Sequence, residues 1–136
     1  PTFHFIAPDE LKMPEEYKLY CKEHQIKYIE HTEFTEEIIA DADILYMTRV
    51  QKERFFNEED YIRLKNSYVL TREKMAQAKP TMAVLHPLPR VNEIALDVDD
   101  DPRAAYFEQV QNGVYVRMAL IMTLLGLADP KTKEEH

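Results

Sequence analysis

The stretch LYMTRVQKER, residues 45–54, contains the end of one apolar run and the polar residues that follow it. The stretch HPLPR, residues 86–90, directly follows a second apolar run. Each apolar run predicts a buried strand. In an open α/β sheet, the turns at the carboxyl ends of the strands form the ligand crevice. Because both stretches carry arginines (Arg49, Arg54 and Arg90), they predict one anion-binding site built from two turns that are far apart in sequence.

Strand-like and helix-like segments alternate along the chain. The predicted strands are Thr2–Ile6, Ile26–Ile29, Asp43–Met47 and Thr81–Leu85, and the predicted helices are Glu15–His24, Thr35–Ala40, Glu58–Leu64, Thr71–Ala78 and Arg103–Leu127. Asp43–Met47 is apolar enough to be a central strand. The alternation favours one α/β domain over residues 1–136, with three layers, a Rossmann-like arrangement and a mostly parallel sheet that has helices on both faces.

Composition narrows the class of function. The formal net charge of −8 disfavours nonspecific binding to nucleic acid, which depends on lysines and arginines that neutralise phosphates. No apolar run reaches the roughly 20 residues that span a bilayer, so we expect no membrane insertion. With Cys21 as the single cysteine, a reducing, cytoplasmic location is expected. No glycine-rich turn precedes a helix, so we expect neither a dinucleotide nor a P-loop cofactor site.

The two turns suit different ligand groups. Arg49 has the planar fork that binds a carboxylate or phosphate, although it could instead pair with a neighbouring carboxylate. Gln51 lies on the same side of an extended chain and could hold a nearby amine. In the second turn, Pro87 and Pro89 lack N–H donors, so this turn presents carbonyl oxygens to an amide or amine. The alternative is a purely structural turn, which could contain a cis peptide bond.

Other candidate residues have plainer interpretations. His86 could act as a general base, but no third group that would orient it is evident, so a structural role is favoured. Glu93 and the acidic residues at 97–101 lack the spacing and the glycine of a calcium loop, and we expect no metal. The last helix has apolar residues at helical spacing and is therefore predicted to pack into the core: Tyr106, Phe107, Val110, Val114, Met118 and Ile121. Arg117 interrupts this pattern and is predicted to form a structural ion pair.

Three strings closely resemble the aspartate carbamoyltransferase family, the catalytic chains of pyrimidine synthesis. They are residues 45–54, residues 85–94 and the YFEQ string at 106–109 with its following Asn112, Gly113 and Arg117. The resemblance runs in order along nearly the whole chain and places it in the aspartate-binding half. It implies that the carbamoyl-phosphate domain is absent from the 136 residues. It also implies that the first strand and helix of the aspartate-binding domain are absent from them.

The resemblance implies a role for each matching residue. Arg49 would bind the carboxylates of L-aspartate, and Gln51 would lie beside its amine. Leu88 and Pro89, with the carbonyl of Pro87, would line the carbamoyl group. Arg54 would hold the two domains closed, and the stretch from about residue 52 to 69 would be a loop that moves on closure.

The implied reaction is transfer of the carbamoyl group from carbamoyl phosphate to L-aspartate, without a cofactor. The family resemblance implies a homotrimer of intact catalytic chains, and regulatory chains are a possible further partner. These residues would hold half of each site, so the chain alone is expected to be inactive. Three alternatives remain open: a carbamoyltransferase that uses ornithine, an aspartate-binding module without catalysis, and a scaffold for assembly.

Overall fold

A computed structural model describes residues 1–50, 57–64 and 66–127. The strands are β1 (Thr2–Ile6), β2 (Lys27–His31), β3 (Ile44–Tyr46) and β4 (Ala83–Leu85). The α-helices are α1 (Glu15–Glu23), α2 (Glu36–Asp41), α3 (Glu58–Leu64), α4 (Arg72–Ala76) and α5 (Tyr106–Leu124). Every predicted strand and helix is present, with ends that shift by up to three residues.

Local chemistry sets several of these ends. Pro14 immediately precedes α1, where its missing N–H is not needed by the helix. The α4 helix follows Thr71, whose hydroxyl accepts a hydrogen bond from the Lys74 N–H, as expected of an N-cap. The predicted start of α5 at Arg103 was wrong, because Arg103 instead lies in a turn in which Ala104 N–H bonds to the Asp101 carbonyl.

The strands form two parallel pairs. β1 pairs with β2, and β3 pairs with β4, so the described residues contain two two-stranded sheets. The α/β class and the parallel pairing are confirmed. The prediction that residues 43–47 form a central strand was wrong for this chain: Ile44 is 63% exposed and Tyr46 is 55% exposed. An apolar sequence alone does not distinguish a strand at the centre of a large sheet from a strand of a two-stranded sheet.

The core lies beside the β3–β4 pair. Leu45 and Val84 contribute from the strands, Ile39 from α2, Met75 from α4 and Tyr106 from the first turn of α5, and each is at most 7% exposed. Burying such side chains stabilises the fold by about 1.5–3 kcal/mol each. The core therefore fixes the strand pair whose carboxyl ends carry the two turns.

The α5 helix departs from the prediction. Tyr106 is buried, but Phe107, Val110, Val114, Met118 and Ile121 are 42–57% exposed. Helical spacing identifies an apolar face but does not say what covers it, and the prediction that all six pack into the core was wrong. In the described part of the chain, no helix is both long and apolar enough to cross a bilayer.

Candidate active site

The β3–β4 pair brings the two turns together. The parallel register places Tyr46 opposite Leu85, and the Met47 N–H donates to the Leu85 carbonyl over 2.8 Å. The chain then leaves β3 through residues 47–50 and leaves β4 through residues 86–90. Both turns therefore begin side by side at one edge of the sheet, as the sequence predicts.

Gln109 of α5 bridges the starts of the two turns. Its Oε1 accepts a hydrogen bond from the His86 N–H over 2.9 Å, and its Nε2 donates to the Tyr46 hydroxyl over 3.2 Å. Sequence reasoning missed this role, because nothing in the helical pattern distinguishes Gln109 from a solvent-facing polar residue. One side chain of α5 thus contacts both β3 and the first residue after β4.

The turn after β4 exposes Pro87 and Pro89, with Leu88 partly buried between them. The Leu88–Pro89 peptide bond is cis, as the sequence allows, and Leu88 has a φ of 47°. Proline nitrogens carry no hydrogen, so the polar groups that the two prolines offer are their carbonyl oxygens. This composition suits a ligand that donates hydrogen bonds.

His86 is buried beneath this turn and is oriented by Glu93. Its Nε2 lies 2.7 Å from Glu93 Oε1, and its Nδ1 accepts the Leu88 N–H over 2.8 Å. The predicted structural role of His86 fits this geometry. The expectation that no group orients it was wrong, since a glutamate seven residues away closes onto it across the proline turn.

Glu93 is a buried carboxylate with a full set of donors. Its Oε2 accepts the N–H groups of Val91 and Asn92 over 3.0 and 3.1 Å. Burial alone would raise the pKa of Glu93, but hydrogen bonds from backbone N–H groups and from His86 lower it below its ordinary value. Glu93 therefore stays charged and belongs to the turn, not to an acidic cluster.

Arg90 does not face the ligand edge as a free cation. Its guanidinium makes a two-pronged contact with Asp99, with Nη2 2.6 Å from Oδ2, and its Nη1 lies 3.3 Å from the Tyr106 hydroxyl. The Arg90 hydrogen bond lowers the pKa of Asp99. The prediction that Arg90 helps to bind an anion was wrong: a nearby carboxylate already occupies its fork.

Arg49 is exposed in the turn that follows β3. Gln51 and Arg54 lie outside the described residues, and so does the start of the loop predicted at residues 52–69. Arg117 lines an open groove of about 510 Å³ between α5 and Leu85, and it forms no ion pair with any described residue. The prediction that Arg117 forms a structural ion pair was therefore wrong as far as residues 1–50, 57–64 and 66–127 can supply its partner.

Comparison with known proteins identifies the family. The family model described as aspartate/ornithine carbamoyltransferase, Asp/Orn binding domain, matches residues 1–124. The chain belongs to this family. Its sequence is 66% identical over 135 residues to the aspartate carbamoyltransferase catalytic subunit of Bacteroides thetaiotaomicron, covering 99% of this chain and 43% of that one. It is 58% identical over 125 residues to the catalytic subunit of Finegoldia magna, covering 92% and 40%.

Solved structures of carbamoyltransferases share the fold. The catalytic subunit of M. jannaschii aspartate transcarbamoylase superposes with a TM-score of 0.81 at 39% identity, over 92% of this chain and 41% of that chain. The Trypanosoma cruzi enzyme with N-(phosphonacetyl)-L-aspartic acid superposes at 0.78 and 36% identity, over 88% and 39%. The chain thus spans about two fifths of the length of the carbamoyltransferases it matches.

Proposed function

We propose that these residues form the aspartate-binding part of an aspartate carbamoyltransferase. The reaction transfers the carbamoyl group of carbamoyl phosphate to the amine of L-aspartate, giving N-carbamoyl-L-aspartate and phosphate. The observation that carries the proposal is the placement of the Arg49 turn and the proline turn at one edge of the β3–β4 pair. One turn supplies a cation and the other supplies carbonyl oxygens, which are the two chemistries that these substrates need.

Arg49 is assigned to the carboxylates of aspartate. A guanidinium donates two parallel hydrogen bonds to a carboxylate, and Arg49 is exposed at the edge of the sheet where the two turns begin. Gln51, two residues further along, is assigned to the aspartate amine. The assignment of Gln51 rests on the family resemblance and on alternation along an extended chain.

The proline turn is assigned to the carbamoyl group. The carbamoyl nitrogen carries two hydrogens, and the carbonyl of Pro87, with Leu88 and Pro89, would accept and enclose them. In the transfer, the amine nitrogen of aspartate bonds to the carbonyl carbon, and the bond from that carbon to the phosphate oxygen breaks with its electron pair going to the departing phosphate. The phosphate takes up the proton that the amine loses. Holding the two reactants together accounts for much of such a rate enhancement.

Arg54 is assigned to domain closure, and we propose a homotrimer of full-length catalytic chains in the cytoplasm. Regulatory chains are a further possible partner. These assignments rest on the family resemblance. The substrates are supported by relatives that are named aspartate carbamoyltransferase catalytic subunits, and by Trypanosoma cruzi structures in complex with carbamoyl phosphate and with aspartate. The ornithine reaction remains the competing specificity, because the family description names both amino acids.

The test is an assay of a grafted subunit: the Bacteroides thetaiotaomicron catalytic subunit in which the 135 aligned residues are replaced by this sequence. We expect carbamoyl transfer to L-aspartate and none to ornithine. The 136-residue chain alone is the matched control and is expected to be inactive. Transfer to ornithine by the grafted subunit would contradict the proposed specificity. Turnover by the 136-residue chain alone would contradict the expectation that it holds only half of each active site. No turnover by a folded grafted subunit would refute the function.

A further inference from the structure

We infer that Glu93 and His86 act as a positioning pair: they hold the turn at Pro87–Pro89 in the one conformation that receives the carbamoyl group. The inference rests on the proposed function of this turn. Neither residue is assigned a contact with substrate, and both act through the backbone of Leu88. The side chain of His86 is 1% exposed and that of Glu93 is 3% exposed, so the pair lies directly under a turn whose prolines face solvent.

The hydrogen bonds fix the tautomer of His86. Leu88 contributes a backbone N–H, which can only donate, so Nδ1 of His86 must carry a lone pair. The proton of the neutral imidazole therefore lies on Nε2, where it is donated to Glu93 Oε1. A carboxylate that sets the tautomer of a histidine through its other nitrogen is a known way of aiming the ring.

Glu93 is itself held on both oxygens. Oε1 accepts from His86 and Oε2 accepts from the N–H groups of Val91 and Asn92. The segment from 86 to 93 is thus closed by side chains at both ends, and Gln109 ties its first N–H to α5. With so many contacts on Leu88 and its flanks, the carbonyl oxygens of the turn have a defined direction before any substrate arrives.

Glu93→Gln tests the pair by reversing hydrogen-bond polarity with almost no change of shape. If the Gln oxygen accepts from Val91 and Asn92, its NH₂ group faces His86, which must then move its proton to Nδ1 and oppose the Leu88 N–H. If the oxygen instead accepts from His86, the NH₂ group opposes the Val91 and Asn92 donors. Either arrangement leaves two donors facing each other and shifts the turn.

Asp101→Asn is the matched control. Asp101 is a partly buried carboxylate that, like Glu93, has several donors: it accepts from the backbone N, Nε and Nη2 of Arg103 over 2.8–2.9 Å. Its substitution likewise sets an amide against N–H groups. The Asp101–Arg103 pair lies outside the 86–93 segment, and Arg103 donates to the carbonyls of Ala78 and Lys79. Asp101→Asn should therefore lower the stability of the fold, as Glu93→Gln does, without disturbing the proline turn.

The experiment measures KM and kcat for both substrates in the grafted subunit, well below the melting temperature of each variant. We expect Glu93→Gln to raise the KM for carbamoyl phosphate by about tenfold or more, since small misplacements of positioning groups cost up to about a hundredfold. Asp101→Asn should stay within about twofold. Equal effects from both variants, or no effect from Glu93→Gln, would overturn the inference while leaving the proposed function standing. Absence of turnover in the unsubstituted graft would instead refute the function.

A second measurement tests the hydrogen bonds of His86 with Glu93 and Leu88 even if Glu93→Gln fails to fold. Nitrogen-15 NMR of the unsubstituted grafted subunit, labelled at histidine, distinguishes the two neutral tautomers from each other and from the cation. We expect the proton of His86 on Nε2 and a lone pair on Nδ1. A proton on Nδ1, or on both nitrogens, is incompatible with the Leu88 hydrogen bond and would overturn the inference.

Discussion

The two turns of the candidate site are built differently. The turn after β4 is held from beneath by His86 and Glu93, which are buried and hydrogen-bonded. The turn after β3 is joined to its neighbour by the bond from Met47 N–H to the Leu85 carbonyl, and beyond it Thr48 and Arg49 are exposed. The difference indicates that the backbone of the proline turn is held by buried side chains, whereas the cation of the other turn is carried on a long, exposed side chain.

Such a contrast matches what each ligand group requires. A carbonyl oxygen must be aimed by the backbone, because it has no torsions of its own, and preorganising it reduces the ordering cost of binding. An arginine can adjust its side-chain torsions to a carboxylate and then bind it through two parallel hydrogen bonds. This difference would not hold if the proline turn did not depend on its buried anchors, or if Arg49 did not bind a carboxylate.

The largest effect on stability should come from Arg90→Met. The substitution keeps the apolar stem but removes the fork that contacts Asp99 and the Tyr106 hydroxyl beside the proline turn. Hydrogen bonds to charged groups contribute about 1.5–3 kcal/mol, so we expect the unfolding free energy of the grafted subunit to fall by about 2–3 kcal/mol. Urea unfolding measures the change.

Arg63→Met is the control for loss of a cation. The ion pairs of Arg63 with Glu10 and Asp60 are exposed, with 62% of the Arg63 side chain accessible, and exposed pairs add little. No measurable change in the urea midpoint is expected for this variant. A similar loss in both variants would mean that the Arg90–Asp99 contact does not anchor the proline turn.

A smaller effect should appear in acid. The Arg90 hydrogen bond lowers the pKa of Asp99, and hydrogen bonds outweigh burial to lower the pKa of Glu93, so both groups favour the folded state when charged. Their contribution is complete above the ordinary values of 3.8 and 4.5 and is lost as pH falls through the lower folded values. We expect the unfolding free energy to decline below about pH 4.5 and Asp99→Asn to flatten that decline. A decline as steep in Asp99→Asn as in the unsubstituted subunit would contradict this assignment.

The sequence predicted the strands and the meeting of the two turns because these depend on local pattern. Apolar runs such as Ala83–Leu85 define the strands, and parallel pairing in an α/β chain brings their carboxyl ends to one edge. The carbonyl-rich character of the Pro87–Pro89 turn also follows directly from composition. These features need no knowledge of which distant side chains meet.

The anchors of the proline turn could not be predicted in the same way. Glu93 was read with the acidic residues that follow it, and Arg90 with the other arginines, because charge alone does not reveal the partner of a side chain. Gln109 bonds to His86 across 23 residues, a contact that only the packing of α5 establishes. The exposed face of α5 shows the same limit, since periodicity identifies an apolar face without its cover.

Arg49→Ala in the grafted subunit tests most directly whether the turn after β3 binds aspartate. Losing a charge-assisted contact costs roughly 1.5–3 kcal/mol, so the KM for aspartate should rise about ten- to a hundredfold. Arg49→Lys should fail to restore it, because an ammonium cannot reproduce the fork. An unchanged KM for aspartate in a folded Arg49→Ala subunit would contradict the account.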